Sequence, residues 1–280
     1  MVVERSGSFR QAARVFYYDA HNHLHDARLD SIRDEAIAQL TSSGVNGAIV
    51  NGTREQDWAA VARLAEGVSW VRASLGLHPW HVPSRSAEWK ETLLAALEGC
   101  PGAAIGEIGL DRWVEGHNIA EQTECFEWQL ALAAKRNLPA SIHCVQAWGA
   151  MWDSLKRTPL PACGYLLHAY GGPAEMVPGF ARLGAYFSFS PYYLHERKSA
   201  QREAFAVIPM DRLLVETDAP DLAPPAEKNP RPLPGGINHP LNLFMCYEAL
   251  AELRGVSAEA LAEQVEANFK RLFSQTNLQG

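Results

Sequence analysis

Residues 19–26, DAHNHLHD, carry histidines at every second position and an aspartate at each end. The aromatic residues 16–18 that precede them predict a strand ending near His23. Because side chains alternate between the two faces of a strand, Asp19, His21 and His23 are expected to point to the same side. Two imidazoles on one face can bind one cation. The spacing therefore indicates part of a metal site, and it differs from the consecutive terminal histidines of a purification tag.

Further residues that can bind a metal lie at or near the ends of later apolar runs. Their nitrogen and oxygen atoms suit Zn²⁺, Mg²⁺, Mn²⁺ or Ni²⁺. Each has a plainer alternative, because a buried glutamate can pair with a base, a histidine can be a satisfied core residue, and an aspartate can cap a segment. These candidates are Glu107 in GEIGLD, His143 in SIHC, His168 in LLHAY, Asp218 in VETDAP and His78 in GLHP.

Eight short apolar runs, each a candidate strand, must position these residues. Segments with helical spacing lie between most of the runs, most clearly at residues 119–137. This alternation predicts a single (β/α)₈ TIM barrel, and an open doubly wound sheet is the alternative. Two further helices are expected at about 241–253 and 258–274. The candidate strands are 16–21, 45–52, 70–79, 103–111, 138–145, 164–172, 184–191 and 212–220.

A barrel would bring the candidate ligands into one pocket, since all of its parallel strands deliver their carboxyl ends to one face. Residues nearly two hundred positions apart would then share a site. A glutamate among them can bridge two ions about 3.5 to 4 Å apart. The Pro- and Gly-rich stretch at residues 219–240 follows the last candidate strand. A loop of that length in a compact domain is expected to be functional.

Composition limits the classes of function. The net charge of −7 and pI of about 5.8 leave no global basic field for coating long nucleic acid, although a local patch could hold one end. The five cysteines are widely spaced, and the polar N-terminal stretch lacks the apolar core of a signal peptide. No apolar run approaches the roughly 18 residues of a membrane span. We therefore expect a cytoplasmic protein without membrane contact, as a monomer or weak oligomer.

The sequence resembles the TatD family of metal-dependent hydrolases, which have an amidohydrolase-like barrel. The resemblance implies a TatD-like hydrolase domain over residues 16–280, with residues 1–15 as an N-terminal extension and extra helices at the C-terminal end. The matching segments run in the family's order over nearly the whole chain. They are DAHNHLHD, GLHPW, AAIGEIGLDRW, EQTECFEWQLALAAKRNLPASIHC, LLHAYGG, YFSFSP, MDRLLVETDAP and ANFKRLF.

The resemblance implies a site with two divalent ions, which would be Zn, Mg, Mn or Ni. Water polarised between the ions would become a hydroxide near neutral pH, and Asp218 would orient it and act as the general base. Glu107 would bridge the two ions and is therefore also counted as catalytic. The implied ligands are His21, His23 and Asp218 for the first ion, His143 and His168 for the second, and Glu107 for both.

The residues around this ligand set also have implied or expected roles. His78 would contact a phosphate oxygen or support the ligands, and Arg112 and Tyr170 are candidate substrate contacts. The parity of Asp19 and Glu216 suits hydrogen-bond acceptors that fix imidazole orientation. Trp80, Trp113 and Tyr170 could stack a base or ring, although core or rim packing is an equal alternative. His25 lies past the strand end, and we expect it at the surface or behind the ligands.

The sequence departs from the family's usual pattern where substrate would lie. Val145 stands where members often have an arginine after the HC of the fifth strand, and His239 stands where they often have a glutamate. Losing a phosphate-facing arginine would weaken substrate binding by about 1.5 to 3 kcal/mol unless another cation replaces it. Arg112, Lys228 and Arg231 are possible replacements.

Family members are described as nucleases that act on DNA or RNA ends. The leading hypothesis is a divalent-metal-dependent deoxyribonuclease or phosphodiesterase of the 3′-end exonuclease type, acting on nucleic acid ends or small phosphodiesters. The alternatives are a metallohydrolase of small amides, esters or lactones, and a non-catalytic, metal-dependent quality-control partner. Many related small-molecule hydrolases bridge their metals with a modified lysine, whereas the fourth candidate strand offers Glu107 and no lysine nearby.

Overall fold

The computed structural model describes residues 15–274, which contain a single sheet of eight parallel strands. The strands pair in chain order, so the order reversal of a doubly wound sheet is absent from the described residues and the barrel prediction is confirmed. The strands are β1 (Tyr17–Asn22), β2 (Val45–Asn51), β3 (Val71–Leu75), β4 (Ala104–Asp111), β5 (Ala140–Val145), β6 (Tyr165–Leu167), β7 (Ala185–Phe189) and β8 (Leu213–Val215).

Backbone hydrogen bonds just beyond β8 link the last strand to the first. The amide of Asp218 donates to the carbonyl of His21 over 2.9 Å, and the amide of His23 donates to the carbonyl of Ala219 over 2.8 Å. These bonds bring the two ends of the sheet together on the face where the strands end. They also place Asp218 directly beside the histidines of the first strand.

Helices follow the strands around the outside of the sheet. One helix, α8, follows β8 and completes the eighth strand–helix unit, so α9 is the additional C-terminal helix within residues 15–274. The helices are α1 (Arg33–Ser42), α2 (Trp58–Gly67), α3 (Trp89–Gly99), α4 (Ile119–Arg136), α5 (Trp148–Arg157), α6 (Val177–Arg182), α7 (Ser199–Val207), α8 (Leu243–Arg254) and α9 (Ala258–Phe273).

The longest helix, α4, has clear boundaries in the sequence. The side chain of Asn118 accepts a hydrogen bond from the amide of Glu121, which satisfies one of the free amides at the start of the helix. The helix ends before Asn137, which adopts a left-handed conformation with φ of 47°. Phe126 and Leu130, four residues apart, lie in the buried face that packs on the barrel.

Some strands are shorter than the sequence predicts. β6 and β8 each have three residues, whereas the predicted runs cover 164–172 and 212–220. His168 and Asp218 consequently lie after the hydrogen-bonded strands and not inside them. Both still reach the face at which the strands end, because the chain continues in the strand direction before it turns.

Two predictions concern the N-terminal extension and the absence of a membrane span. The predicted N-terminal extension lies outside the described residues, except for Val15. Within residues 15–274, no helix has both the length and the apolar character needed to cross a bilayer.

Candidate metal centre and active site

The carboxylate of Glu107 lies at the centre of the predicted ligands and is 3% exposed. Its Oε2 atom lies 3.4 Å from Nε2 of both His21 and His23. Its Oε1 atom lies 2.9 Å from Nε2 of His168 and 3.1 Å from Nδ1 of His143. The two oxygens therefore face two different pairs of histidines, which is the arrangement that a carboxylate shared by two ions requires.

The first group consists of His21, His23, Glu107 and Asp218. Oδ1 of Asp218 lies 3.5 Å from Nε2 of His21 and 3.4 Å from Nε2 of His23, close to the distances from the same nitrogens to Glu107. Ligands about 2.1 Å from a tetrahedral zinc ion lie about 3.4 Å from one another. Nε2 of His21 and Oδ1 of Asp218 are buried without a hydrogen-bond partner in the described residues. The group fits a divalent cation.

The ring orientation of His23 supports this fit. Its Nδ1 lies 2.7 Å from the carbonyl oxygen of Asn51, which can only accept, so Nδ1 carries a proton. In the neutral form of the ring, the lone pair of Nε2 would point at the carboxylates of Glu107 and Asp218. Burial alone would lower the pKa of His23, but these carboxylates hold it well above its usual value. Without a cation, Nε2 would therefore hold a proton at neutral pH, and a divalent ion bound here would take the place of that proton and accept the lone pair.

His21 is held by a residue that the sequence analysis did not single out. Its Nδ1 is hydrogen-bonded to the hydroxyl of Ser141 over 2.7 Å, and its ring stacks on that of His168 with centroids 3.9 Å apart. Ser141 lies two residues before His143 on β5 and therefore on the same face of the strand. That parity is the signal that would have found it.

The second group consists of Glu107, His143 and His168, and Asp111 supports it. Nδ1 of His143 faces Glu107, while its Nε2 lies 2.9 Å from Oδ2 of Asp111. Burial alone would raise the pKa of Asp111, but the contact with His143 and a hydrogen bond from Trp80 lower it to about 2. An ionised Asp111 thus fixes Nε2 of His143 as the protonated nitrogen and leaves Nδ1 as the ligand atom. Asp111 also shares the strand parity of Glu107, although sequence analysis missed it.

Glu216 lies behind His168, on the opposite side of its ring from Glu107. Oε1 of Glu216 lies 3.5 Å from Nδ1 of His168, and Oε2 accepts a hydrogen bond from the hydroxyl of Ser188. Burial would lower the pKa of His168, but Glu107 and Glu216 hold it well above its usual value. The structure therefore places Glu216 where it can orient an imidazole.

Asp19 lies behind the ligands, but its contacts differ from those expected. It accepts hydrogen bonds from the hydroxyl and amide of Thr217 over 2.7 and 3.0 Å, and from the amide of His21 over 3.3 Å. Burial raises its pKa to about 7. The predicted contact with an imidazole is corrected, because Ser141 occupies that place beside His21. Asp19 instead holds the backbone next to Asp218, whose φ of 54° is unusual for a residue other than glycine.

His78 approaches the second group as a hydrogen-bond donor. Its Nδ1 accepts a hydrogen bond from the amide of Trp80 over 3.1 Å, so the neutral ring carries its proton on Nε2. That Nε2 lies 3.3 Å from Oε1 of Glu107. Burial lowers the pKa of His78 to about 4, which keeps the ring neutral near pH 7. A neutral N–H donor suits a substrate oxygen better than a metal ion.

The two predicted substrate contacts Arg112 and Tyr170 differ in their exposure to solvent. Arg112 is exposed at the end of β4, and its amide donates to the carbonyl of Val145 over 3.0 Å. Tyr170 is 0% exposed, its hydroxyl donates to the carbonyl of Pro173, and its ring packs against those of Phe187 and Trp148. The structure does not bring Tyr170 to the site, because this aromatic cluster holds it in the core.

His25 and His239 lie outside both groups. Nε2 of His25 lies 3.7 Å from Oδ2 of Asp57, and its ring contacts that of His23 at 6.0 Å between centroids. The ring of His239 accepts a hydrogen bond from the amide of Leu241 over 3.1 Å. His25, expected at the surface or behind the ligands, is half-buried between Asp57 and the ring of His23.

The sequence of the described barrel matches a known family over almost its whole length. The family model of TatD related DNase matches residues 18–274. The chain belongs to the TatD family. Members of this family are metal-dependent hydrolases, and three groups of histidines and acids in the described residues could hold a metal ion, two of which include Glu107. The predicted family and hydrolase class are thus confirmed.

Individual TatD relatives are similar over nearly their full length. The chain is 33% identical over 262 residues to the 3′-5′ ssDNA/RNA exonuclease TatD of Pantoea vagans (strain C9-1), covering 91% of this chain and 98% of that protein. It is 30% identical over 263 residues to the metal-dependent hydrolase YjjV of Escherichia coli (strain K12), covering 92% and 98%. The crystal structure of E. coli YjjV, a TatD homolog, has a TM-score of 0.85 at 29% identity, with coverage of 92% and 98%.

Proposed function

We propose that this TatD protein is a divalent-metal-dependent phosphodiesterase that removes nucleotides from the 3′ ends of single-stranded nucleic acid. The observation that carries the proposal is the division of the Glu107 carboxylate between two groups of ligands, with Oε2 facing His21 and His23 and Oε1 facing His143 and His168. The name of the Pantoea relative supports the polarity and the substrate class.

The proposal assigns two ions, with His21, His23, Asp218 and Glu107 around one, and His143, His168 and Glu107 around the other. Divalent ions at these positions would supply Lewis acidity toward the phosphate and would lower the pKa of water. The N/O ligand set suits Zn, Mg, Mn or Ni, and ion availability selects among them.

The chain's own residues would supply proton transfer and orientation. Burial raises the pKa of Asp218, but His23 and the neighbouring histidines lower it below its usual value, so the carboxylate is ionised at neutral pH. Asp218 would take the proton of the attacking water. His78 would donate its Nε2 proton to a phosphate oxygen, and Arg112 would add a positive charge at the rim, next to Val145.

We also propose that residues 16–280 form the hydrolase domain and that the protein works in the cytoplasm as a monomer or weak oligomer. All five cysteines are free thiols, and four of them are buried, which suits a reducing compartment.

The test is hydrolysis of single-stranded DNA and RNA oligonucleotides labelled at the 5′ end, in the presence of Mg²⁺, Mn²⁺, Zn²⁺ or Ni²⁺. We expect a ladder of products shortened from the 3′ end. Asp218→Asn should reduce kcat by a factor of about 10² to 10⁴, since the general base is lost. Circular dichroism and thermal unfolding establish that this variant is folded.

Absence of cleavage with every metal, or an unchanged rate in folded Asp218→Asn, would overturn the proposal. Turnover of an ester or lactone without turnover of oligonucleotides would support a small-molecule metallohydrolase instead. Strands with a blocked 3′ end serve as the control for polarity, because they should resist digestion.

A further inference from the structure

Two indole rings at the end of the barrel are exposed to solvent side by side. Trp80 is 47% exposed and Trp113 is 65% exposed. Among residues 15–274 the other exposed large hydrophobic residues are Val207 and Val256, which are much smaller. The two indole rings have centroids 6.4 Å apart and planes inclined by 36°. Such a large apolar surface on a soluble domain often marks a binding site.

The indole pair lies next to the proposed metal ligands. The ring of Trp80 has its centroid 5.3 Å from that of His78 and 6.5 Å from that of His143. Trp113 lies two residues after Asp111, at the end of β4. A nucleotide whose phosphate reached His78 would therefore place its sugar and base within reach of the indoles.

A single carboxylate joins the indole of Trp80, the backbone of Trp113 and the imidazole of His143. Oδ2 of Asp111 accepts a hydrogen bond from Nε1 of Trp80 over 2.8 Å, and it also contacts Nε2 of His143. Oδ1 of Asp111 accepts a hydrogen bond from the backbone amide of Trp113 over 2.6 Å. The polar edge of Trp80 is thus satisfied, and its ring is held in place before substrate binds. Trp113 is fixed at its backbone, and its exposed ring lies against that of Trp80.

We infer that Trp80 and Trp113 form a platform on which a base of the nucleic acid strand stacks beside the reacting phosphate. The inference rests on the proposed nuclease function and adds a base-binding subsite to it. Because the two rings already contact each other, a base would stack on their outer surface and would not insert between them. Stacking tolerates any base, since every base has an aromatic face.

Stacking on the platform can supply binding energy that family members often obtain from an arginine at the position of Val145. Stacking holds a nucleotide through its base and does not need an additional cation at the phosphate. If the base stacks on the platform, affinity depends on the presence of the base, whereas the affinity gained from a phosphate contact depends only on the nucleic acid backbone.

The test measures binding of single-stranded oligonucleotides to Asp218→Asn protein, so that binding is followed without turnover. One strand has normal bases, and matched strands carry an abasic residue at the last or the next-to-last position of the 3′ end. Fluorescence anisotropy of a 5′ dye reports Kd in the presence of a divalent metal. Trp113→Ala is compared with Trp113→Tyr, which keeps an aromatic ring. A second comparison is Val207→Ala, which removes an exposed apolar side chain at the end of α7.

We expect Trp113→Ala to raise Kd for the normal strand by about five- to thirtyfold, the size of one lost base stack. The variant should have a much smaller effect on the abasic strand that lacks the stacked base. Trp113→Tyr should recover most of the affinity, and Val207→Ala should have no effect. Equal effects of Trp113→Ala on normal and abasic strands, or no effect on either, would overturn the platform.

This outcome is separate from that of the cleavage test. Base-dependent binding without cleavage by the wild-type protein would leave the platform standing and contradict the nuclease proposal. Cleavage without base-dependent binding would support the nuclease proposal and contradict the platform.

Discussion

At the scale of single residues, hydrogen bonds to the backbone determine which ring nitrogen of each histidine carries a proton and which can accept. The carbonyl of Asn51 requires a proton on Nδ1 of His23, whereas the amide of Trp80 requires a bare Nδ1 on His78. Two buried histidines close to the same glutamate therefore have opposite capacities. In the proposed site, His23 would present a lone pair to a cation, and His78 would present a proton to a substrate.

This difference predicts the metal content of two variants within the histidine-rich segment. His23→Ala should lower the number of divalent ions per chain from two to one, because it removes a ligand of the first group. His25→Ala is the matched control and should keep both ions, since its ring faces Asp57. Elemental analysis after dialysis against metal-free buffer measures both. Loss of an ion from His25→Ala, or none from His23→Ala, would contradict the assignment.

The position of Arg112 leads to a prediction about substrate charge. Its backbone bonds to that of Val145, so its side chain begins beside the place where the family often has an arginine. Arg112→Ala should lower kcat/KM on oligonucleotides by about fivefold, as expected for one exposed charge-assisted contact.

The decrease caused by Arg112→Ala should become smaller at high salt, because the exposed charge is screened. Arg231→Ala is the comparison in the long loop after β8, where an exposed arginine follows a different strand. A larger loss from Arg231→Ala than from Arg112→Ala would assign the phosphate contact to that loop.

At the scale of elements, α4 positions the strand ends as well as covering the barrel. Oε1 of Gln129 accepts a hydrogen bond from the amide of Leu77 over 2.7 Å, and its Nε2 donates to the carbonyl of Leu77 over 3.2 Å. Gln122 makes the same pair of bonds with the backbone of Asp111, over 2.8 and 2.9 Å. Two buried amides of one helix thus hold the backbone next to His78 and at Asp111.

Gln129→Leu should therefore affect stability and substrate binding together. It leaves the buried amide and carbonyl of Leu77 without their partner, which should lower the free energy of unfolding by about 2 to 4 kcal/mol. KM should rise as well, because His78 follows Leu77 directly. Urea unfolding and steady-state kinetics measure the two effects.

Gln39→Leu is the matched control on α1, where the glutamine makes only an exposed bond to Glu35. It should change the free energy of unfolding by less than about 0.5 kcal/mol. Equal stability of the two variants would show that the bonds from Gln129 contribute nothing to the fold.

At the scale of the whole molecule, the barrel gathers ligands from residues 21 to 218 into one pocket of buried acids and histidines. Several polar atoms there, among them Nε2 of His21 and Oδ1 of Asp218, have no hydrogen-bond partner in the described residues. Such groups are unfavourable in the folded state unless a cation satisfies them. Metal binding and folding stability should therefore be linked.

Removing metal with a chelator should lower Tm by about 5 °C per site, and by about 10 °C when both sites are emptied, since an ion at about one hundred times its Kd contributes about 2.7 kcal/mol per site. Adding metal back should raise Tm in proportion to the logarithm of its concentration. His143→Ala should show a smaller response, because one of the two groups is incomplete. A Tm that is the same with and without chelator would argue against ions in this pocket.

The domain boundary can be tested by truncating the 280-residue chain. The family match begins at residue 18, and the described barrel begins with the segment before β1. Deleting residues 1–14 should therefore leave metal content, Tm and the oligonucleotide kcat within about twofold of the full-length protein. A loss of metal or of folding on truncation would place part of the domain before residue 15.

The sequence by itself was sufficient to predict the barrel and the residues at its centre. The period of two along a strand placed His21 and His23 on one face, and the shared carboxyl face of parallel strands connected them with Glu107, His143, His168 and Asp218. The barrel is confirmed and these side chains lie together in it, because both inferences depend on local periodicity and on a topology with few alternatives. Motifs in the order of the family strengthened them.

Only the tertiary structure decided what lies behind and around the ligands. The hydrogen bonds from His21 to Ser141, from His143 to Asp111 and from Leu77 to Gln129 join residues 120, 32 and 52 positions apart, and no local pattern specifies such pairs. The sequence placed Tyr170 and Trp113 alike near strand ends, but packing buries the first and leaves the second exposed. Contacts between distant elements determine which side of a ring meets solvent and which nitrogen carries a proton, so only the folded chain decides them.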